Sequence, residues 1–307
     1  MSDLLQIENS ASVEEAGERR VVRRLPEWLT IRLPKRQPIA DVENLMRSGR
    51  LVTVCEEARC PNLWECWTKK SATFMIMGDT CTRSCRFCAV KTGRGLPLDP
   101  DEPRRVAEAA KTLGLRHTVV TSVNRDELAD GGARHFAQTI ACLRELLPGS
   151  IVEVLTPDFL GKRDALDVIV QARPDIFNHN TETVPRLYRQ VRPQAKYPRS
   201  LDVLEYVKLQ DPTIYTKSGF MVGLGETRDE VIALLRDLRD KKVDAITIGQ
   251  YLKPGKGYLE VVEYIHPDVF DEYKAIGLEM GFVFIASGPF VRSSHNAIEL
   301  SEAVGLL

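Results

Sequence analysis

The 307-residue sequence lacks any apolar run near the roughly 20 residues that cross a bilayer, so no membrane span is expected. Charge of one sign is missing too. Its 42 basic side chains stand against 43 acidic ones, a formal net charge of −1. That removes the simplest electrostatic argument for a nucleic-acid or anionic-membrane surface. The start, MSDLLQIENSASVEEAGERR, has no basic segment followed by an apolar one, so no secretory leader is expected. A chain this long can bury a sizeable core, so no disulfide scaffold is needed, and no short repeat is present. Cysteine is almost absent from most of the sequence, yet six of its seven fall between Cys55 and Cys88. Without a leader, such crowding points to reduced thiols kept for metal binding or catalysis, and to a cytoplasmic location.

Residues 1–24 carry an acidic stretch and then a basic one with no sustained apolar period, the pattern of a mobile tail. Residues 25–70 mix prolines, a short helical pattern over 39–48 and the first cysteines, which reads as an irregular extension. From there to residue 288, β-like runs at 72–77, 118–122, 151–155, 175–179, 219–222 and 245–249 alternate with helical patterns. Val231, Leu234, Leu235 and Leu238 share a helical face behind a Thr227/Glu230 capping-box spacing, and Phe136, Ile140, Leu143 and Leu147 share another. The alternation predicts an α/β fold, a partial (β/α)6 TIM-type barrel over 71–288. A seventh apolar run, 282–286, could extend it, and 289–307 form a short C-terminal extension. Polar residues follow nearly every predicted strand: Asn124-Arg125-Asp126, Thr156 and Asp158, Asn180 and Glu182, Gly223 to Glu226, Gln250-Tyr251. Asn, Asp and Gly also make ordinary turns. The carboxyl ends of barrel strands nevertheless form active sites, so these stretches are expected to converge on one face.

Two cysteine trios stand out. Cys81, Cys85 and Cys88 have the spacing C-x3-C-x2-C directly after the first predicted strand. Three thiolates on one loop can ligate three irons of a cubane cluster and leave the fourth iron open. A structural zinc would need a fourth ligand, and no His or Cys lies at the usual short spacing downstream. Cys55, Cys60 and Cys66, in CEEARCPNLWEC, again supply three thiolates with no fourth nearby, so two clusters are expected.

The C-x3-C-x2-C loop, with Phe87 before its last cysteine, resembles the signature of radical S-adenosylmethionine (SAM) enzymes. The first trio ahead of GDTCTRSCRFC, together with TSVNRDELADGGARHFAQTI, NHNTETVPRLYRQVRP, GFMVGLGE, TIGQYLKP and GPFVRSS, is similar to the lipoyl synthase family in order, from about Cys55 to Ser294. The resemblance implies two [4Fe–4S] clusters and two SAM molecules per lipoyl group. The reaction it implies is insertion of two sulfurs into an octanoyl chain on a carrier lysine. It gives Cys81, Cys85 and Cys88 to the SAM-cleaving cluster. Cys55, Cys60, Cys66 and Ser293, the first serine of the R-S-S motif, go to an auxiliary cluster consumed as sulfur donor. For SAM it suggests Asn124, Arg125, Glu182, Gly223, Gly225 and Glu226, with Arg186, Arg192 and Arg292 as possible carboxylate anchors.

The partners it implies are octanoylated lipoyl carrier domains of 2-oxoacid dehydrogenase subunits or of the glycine-cleavage H protein. A ferredoxin- or flavodoxin-type reductant and an iron–sulfur carrier for cluster repair complete them, with no nucleic acid and no membrane. The chain departs from the family at Tyr258-Leu-Glu-Val261, where H-L-P-V is usual, and at His295, where Tyr usually follows R-S-S. Cys142 lies outside the pattern on a predicted helix and reads as a packing residue, and Trp64 and Trp67 flank Cys66.

Overall fold

The computed structural model describes residues 25–30, 37–294 and 297–307. The tail 1–24 and His295 lie outside the described residues. One sheet organises the rest. Its strands are β1 (Val52–Thr53), β2 (Thr73–Ile76), β3 (His117–Ser122), β4 (Ile151–Leu155), β5 (Ile176–Asn178), β6 (Tyr215–Val222), β7 (Ala245–Gln250) and β8 (Phe284–Gly288), lying side by side in chain order. β2 through β8 are all parallel, while β1 runs antiparallel to β2 at the edge. Every crossover carries a helix: Glu102–Leu113, Ala133–Leu146, Arg163–Ala172, Tyr197–Gln210, Arg228–Asp240 and Pro267–Glu279. Among the described residues the two edges do not pair, so the barrel is partial, as the sequence pattern predicts.

The six expected strands all form, and the seventh run also joins the sheet. It begins at Phe284, two residues into the apolar run, because Gly281 (φ +91°) turns the chain after the preceding helix and Phe282 packs into the core. Phe284 then registers against Ala245. The helices bury the faces their spacing prescribes. Val231, Leu234, Leu235 and Leu238 are fully buried, and the Thr227/Glu230 capping box closes the start of that helix. Phe136, Ile140 and Leu143 do the same for Ala133–Leu146, with half-buried Cys142 against the core.

The concave side of the sheet is polar where the strands begin. Lys217 on β6 reaches across β5 to Glu153 on β4 at 2.9 Å, with side-chain exposures of 2% and 0%. Asn178 donates to the same carboxylate at 2.9 Å, and His117 stands 3.2 Å from its other oxygen. The C-terminal helix Ala297–Ala303 plugs this end of the barrel. Leu300 packs against Ile151, Ile176 and Ala245, and the Ser301 hydroxyl hydrogen-bonds His117 Nδ1 at 2.9 Å. Contacts between non-neighbouring strands put these side chains inside the barrel.

Burial alone would raise the pKa of Glu153, but Lys217 and His117 hold it down at about 2. Because the folded-state value is depressed, its contribution to stability is present above the unfolded value of about 4.5 and is lost as pH falls toward about 2. Lys217→Met strands a buried carboxylate and is expected to cost about 3 kcal/mol at pH 7. Chemical denaturation checks this, and a loss below about 0.5 kcal/mol would refute the buried pair's role.

Candidate functional site

The second trio sits on the loop after β2, where Met77 (φ +69°) and Gly78 (φ +88°) turn the chain across the carboxyl ends of the strands. Cys81 belongs to a two-residue strand, Thr80–Cys81, paired with Lys91–Thr92. Arg83, 2% exposed in its side chain, fixes this loop to two neighbours. It forks onto Asp126 after β3 (2.7 and 2.9 Å) and reaches Asp158 after β4 at 2.6 Å; Arg199 meets the other Asp158 oxygen at 3.1 Å. A bidentate guanidinium–carboxylate pair fixes orientation as well as distance. Asn124 clasps Cys81, donating to its sulfur from the backbone at 3.3 Å and from the side chain at 3.7 Å. The Arg86 backbone ties the loop's end to Val191 and Leu259, so the segment carrying Tyr258 docks directly against it.

The first trio is carried by the turn after β1 and the short helices Val54–Glu57 and Leu63–Thr68. Buried Asn62, between Cys60 and Cys66, donates to the Phe290 carbonyl at 2.6 Å, and Arg59 donates to the Pro254 carbonyl at 3.0 Å. The Asn62 bond holds the extension against the C-terminal segment 289–294, which folds over the concave face, and the Arg59 bond ties it to the loop after β7. Two glycines admit that segment. A Cβ on Gly249 of β7 would lie 2.1 Å from the Val291 carbonyl oxygen, and one on Gly219 of β6 would lie 3.1 Å from Ser293 Oγ and 2.4 Å from Thr247 Oγ1. Ser293 Oγ accepts from Asn180 Nδ2 at 2.6 Å.

Five of the six trio cysteines, Cys55, Cys60, Cys81, Cys85 and Cys88, line a single cavity of about 710 Å³ together with Ser293, whereas Cys66 does not line it. Asn124 and Glu182 also line it; Arg125, Gly223, Gly225 and Glu226 do not. Arg125 binds the Met77 and Leu96 carbonyls (3.1 and 2.8 Å), stapling the loop that follows the trio to the end of β2. Gly223 (φ +100°) lets Gln250 and the Glu263 carbonyl approach its backbone, while Glu226 accepts from Leu224 N–H at 2.9 Å. Of the three arginines beyond that set, Arg186 pairs with Glu230 at the surface, whereas Arg192 and Arg292 line the cavity. Arg83 and Asn62 are contributors the sequence reading passes over, whereas Asn180 is among the polar residues expected to converge at the strand ends. The signal for Arg83 was its position inside C-x3-C.

Burial pushes the thiols up, Cys88 and Cys66 to about 12 and Cys55 to about 11, and within each trio the sulfurs raise one another. Cations oppose this. Arg192, fully buried, faces Cys85, and Arg292 faces Cys60. Among the described residues neither arginine pairs with a carboxylate, and Arg192 Nε has no hydrogen-bond partner. The Trp67 indole N–H faces Cys55. Two thiol triplets, each with an unpaired guanidinium beside it and open space before it, suit anionic, thiolate-ligated clusters.

This geometry, a three-cysteine loop at the first strand's carboxyl end of an open parallel barrel, is that of a radical SAM enzyme. A family model of the Radical SAM superfamily matches residues 75–238, and one of the N-terminal domain of lipoyl synthase matches residues 4–60. The fold is similar to methylornithine synthase PylB (TM-score 0.52, 14% identity, 80% of this chain and 77% of that one). It is also similar to Streptococcus suis SuiB (0.53, 12%, 71% and 50%). The chain is 58% identical over 277 residues to the lipoyl synthase of Rubrobacter xylanophilus, covering 90% of this chain and 86% of that protein. Against the lipoyl synthase of Caldanaerobacter subterraneus subsp. tengcongensis it is 56% identical over 283 residues, 92% and 99%. The chain belongs to the lipoyl synthase family. Its cofactors are [4Fe–4S] clusters and SAM. No helix among the described residues is long and apolar enough to cross a membrane.

Gly249→Ala drives a Cβ into the Val291 carbonyl, and backbone has no rotamer with which to yield. It is expected to cost about 1–3 kcal/mol and to expose 289–294 to protease. A thermal melt and limited proteolysis check this; unchanged melting and cleavage would show that the segment does not pack on β7.

Proposed function

We propose that this chain inserts sulfur at C6 and C8 of an octanoyl group held by a lysine of a lipoyl carrier domain, with the site divided between two clusters. The observation that supports the division is the single cavity lined by all three cysteines of the second trio and by Cys55, Cys60 and Ser293. When bound, the cluster on Cys81, Cys85 and Cys88 supplies the one-electron reduction that cleaves SAM to a hydrogen-abstracting radical, and the cluster on Cys55, Cys60, Cys66 and Ser293 supplies sulfur. A saturated C–H bond has no acid–base handle, so the protein's own part is positioning and exclusion of side reactions.

The chain's residues fit that part. The Arg83 fork holds the SAM-side loop in register with the ends of β3 and β4. SAM is assigned to the side lined by Asn124 and Glu182, with Arg125 and the loop from Gly223 through Gly225 to Glu226 shaping it from behind. Glu182 is half-buried, and desolvation raises its pKa against the opposing pull of Arg192 and Asn180. Arg192 and Arg292 offset the anionic charge of the two sites. Met75, Phe87, Val123, Phe220 and Met221 give the cavity an apolar wall suited to an alkyl chain and to keeping water from a radical. Octanoylated lipoyl domains are the substrate class. Within it we assign both 2-oxoacid dehydrogenase subunits and the glycine-cleavage H protein, with a ferredoxin- or flavodoxin-type reductant and an iron–sulfur carrier that rebuilds the spent cluster. Residues 25–70 serve as the auxiliary-cluster extension, 71–288 as the radical barrel and 289–307 as the segment bearing R-S-S.

The test is mass spectrometry of an octanoylated lipoyl-domain peptide after anaerobic incubation with cluster-loaded protein, SAM and reductant, reading 5′-deoxyadenosine in the same run. The expected product gains two sulfurs. Cys81→Ala is expected to abolish 5′-deoxyadenosine, whereas Cys55→Ala is expected to keep it and lose sulfur insertion. SAM cleavage without sulfur gain in the unmodified protein would refute the substrate assignment, and a Cys55→Ala variant that still inserts sulfur would refute the division of labour.

A further inference from the structure

The side chain of Asn180 stands between the two halves of the site. It follows β5, and its Nδ2 donates twice, to Glu182 Oε1 at 3.0 Å and to Ser293 Oγ at 2.6 Å. The carboxylate acceptor fixes which way the amide points, since a carbonyl oxygen turned to Glu182 would meet another acceptor. The opposite end, Oδ1, is buried with no partner. It faces Gly219, where a Cβ would come within 2.9 Å of it, so a residue without a side chain leaves room for this amide and the serine together. Arg192 donates to the Asn180 backbone carbonyl at 2.7 Å, which anchors the residue from the SAM side. The amide thus joins Glu182, beside Cys85 and Cys88, to a serine 113 residues further along the chain.

We propose that Asn180 is a positioning residue that sets how firmly Ser293 holds the auxiliary cluster. The inference rests on the assignment of Ser293 to that cluster made above. A serine oxygen binds iron as an alkoxide, having given up its proton, and a donor amide aimed at that oxygen stabilises its negative charge and fixes its direction. Because the same NH2 group is shared with Glu182, any movement of Glu182 on the SAM side alters the hydrogen bond that Ser293 receives. The serine is thereby held firmly while the SAM side is in place and is releasable when it shifts.

The test uses full-length protein in which Cys81, Cys85 and Cys88 are replaced by alanine, so that only the auxiliary cluster is loaded, and follows anaerobic iron release to a chelator. With Asn180 intact, Ser293→Ala is expected to speed release of the cluster's most labile iron. Asn180→Leu, of similar volume but with no donor, is expected to speed it by about tenfold, the loss of one hydrogen bond to a charged group. Adding Asn180→Leu to Ser293→Ala should then change nothing further, because the amide acts only through the serine. A residue that merely supported the fold would add its effect in both backgrounds. Release from Asn180→Leu at the unmodified rate, or additivity with Ser293→Ala, overturns the inference while leaving the serine's assignment intact. Release from Ser293→Ala at the unmodified rate overturns the assignment and the inference with it. Asn180→Ser, smaller and unable to reach both partners, is the companion variant if the leucine variant does not fold, with the same outcomes required of it.

Discussion

Desolvation of sulfur is the constraint on which the rest of this structure depends. Ionised thiols bind iron, yet the walls that shelter a radical from water push Cys55, Cys66 and Cys88 toward the protonated form. The fold answers with guanidinium charge rather than with exposure. Among the described residues Arg192 and Arg292 form no ion pair with a carboxylate, and one stands beside each trio. Arg83 has carboxylate partners because its task is different: its charge is spent within the protein scaffold, locking the cysteine loop to two strand ends. A cation without a carboxylate partner in such a site is costly by itself, and in the proposed arrangement anionic clusters beside these two arginines would offset that cost.

The barrel is built to let distant segments meet on its concave side. Gly219 and Gly249 stand where an ordinary strand residue would project inward, and the space they leave receives Val291 and Ser293. The same C-terminal stretch then closes the amino end of the strands through Leu300 and Ser301, over the buried Glu153–Lys217 pair. Asn180 holds Ser293 directly, while Asn62 holds the same segment through the Phe290 carbonyl.

Geometry also separates two kinds of polar residue that look alike in the sequence. Asn124 and Arg125 are neighbours after β3, but Asn124 reaches Cys81 while Arg125 turns away to bind two backbone carbonyls. Likewise Glu182 lines the cavity and Glu226 closes its own loop. Adjacent residues at a strand end point to opposite sides, and the direction of each side chain, not its chemistry, decides which meets substrate.

The sequence alone determined the order of strands and helices, the buried helical faces and the two cysteine trios. Each is local: periodicity shows which face is buried, and ligand spacing within a few residues is set by the chain itself. The seventh strand was legible as an apolar run, though its start was not, because Gly281 and the packing of Phe282 decide where pairing begins. Only the tertiary structure decided that five of the six trio cysteines share one cavity, that Ser293 reaches it, and that buried Arg192 and half-buried Arg292 stand beside sulfur while Arg186 stays at the surface. Those facts depend on contacts between residues more than a hundred positions apart, and on empty space at two glycines. Neither has a local signature, because a strand glycine reads the same whether it admits a neighbouring segment or merely loosens a turn.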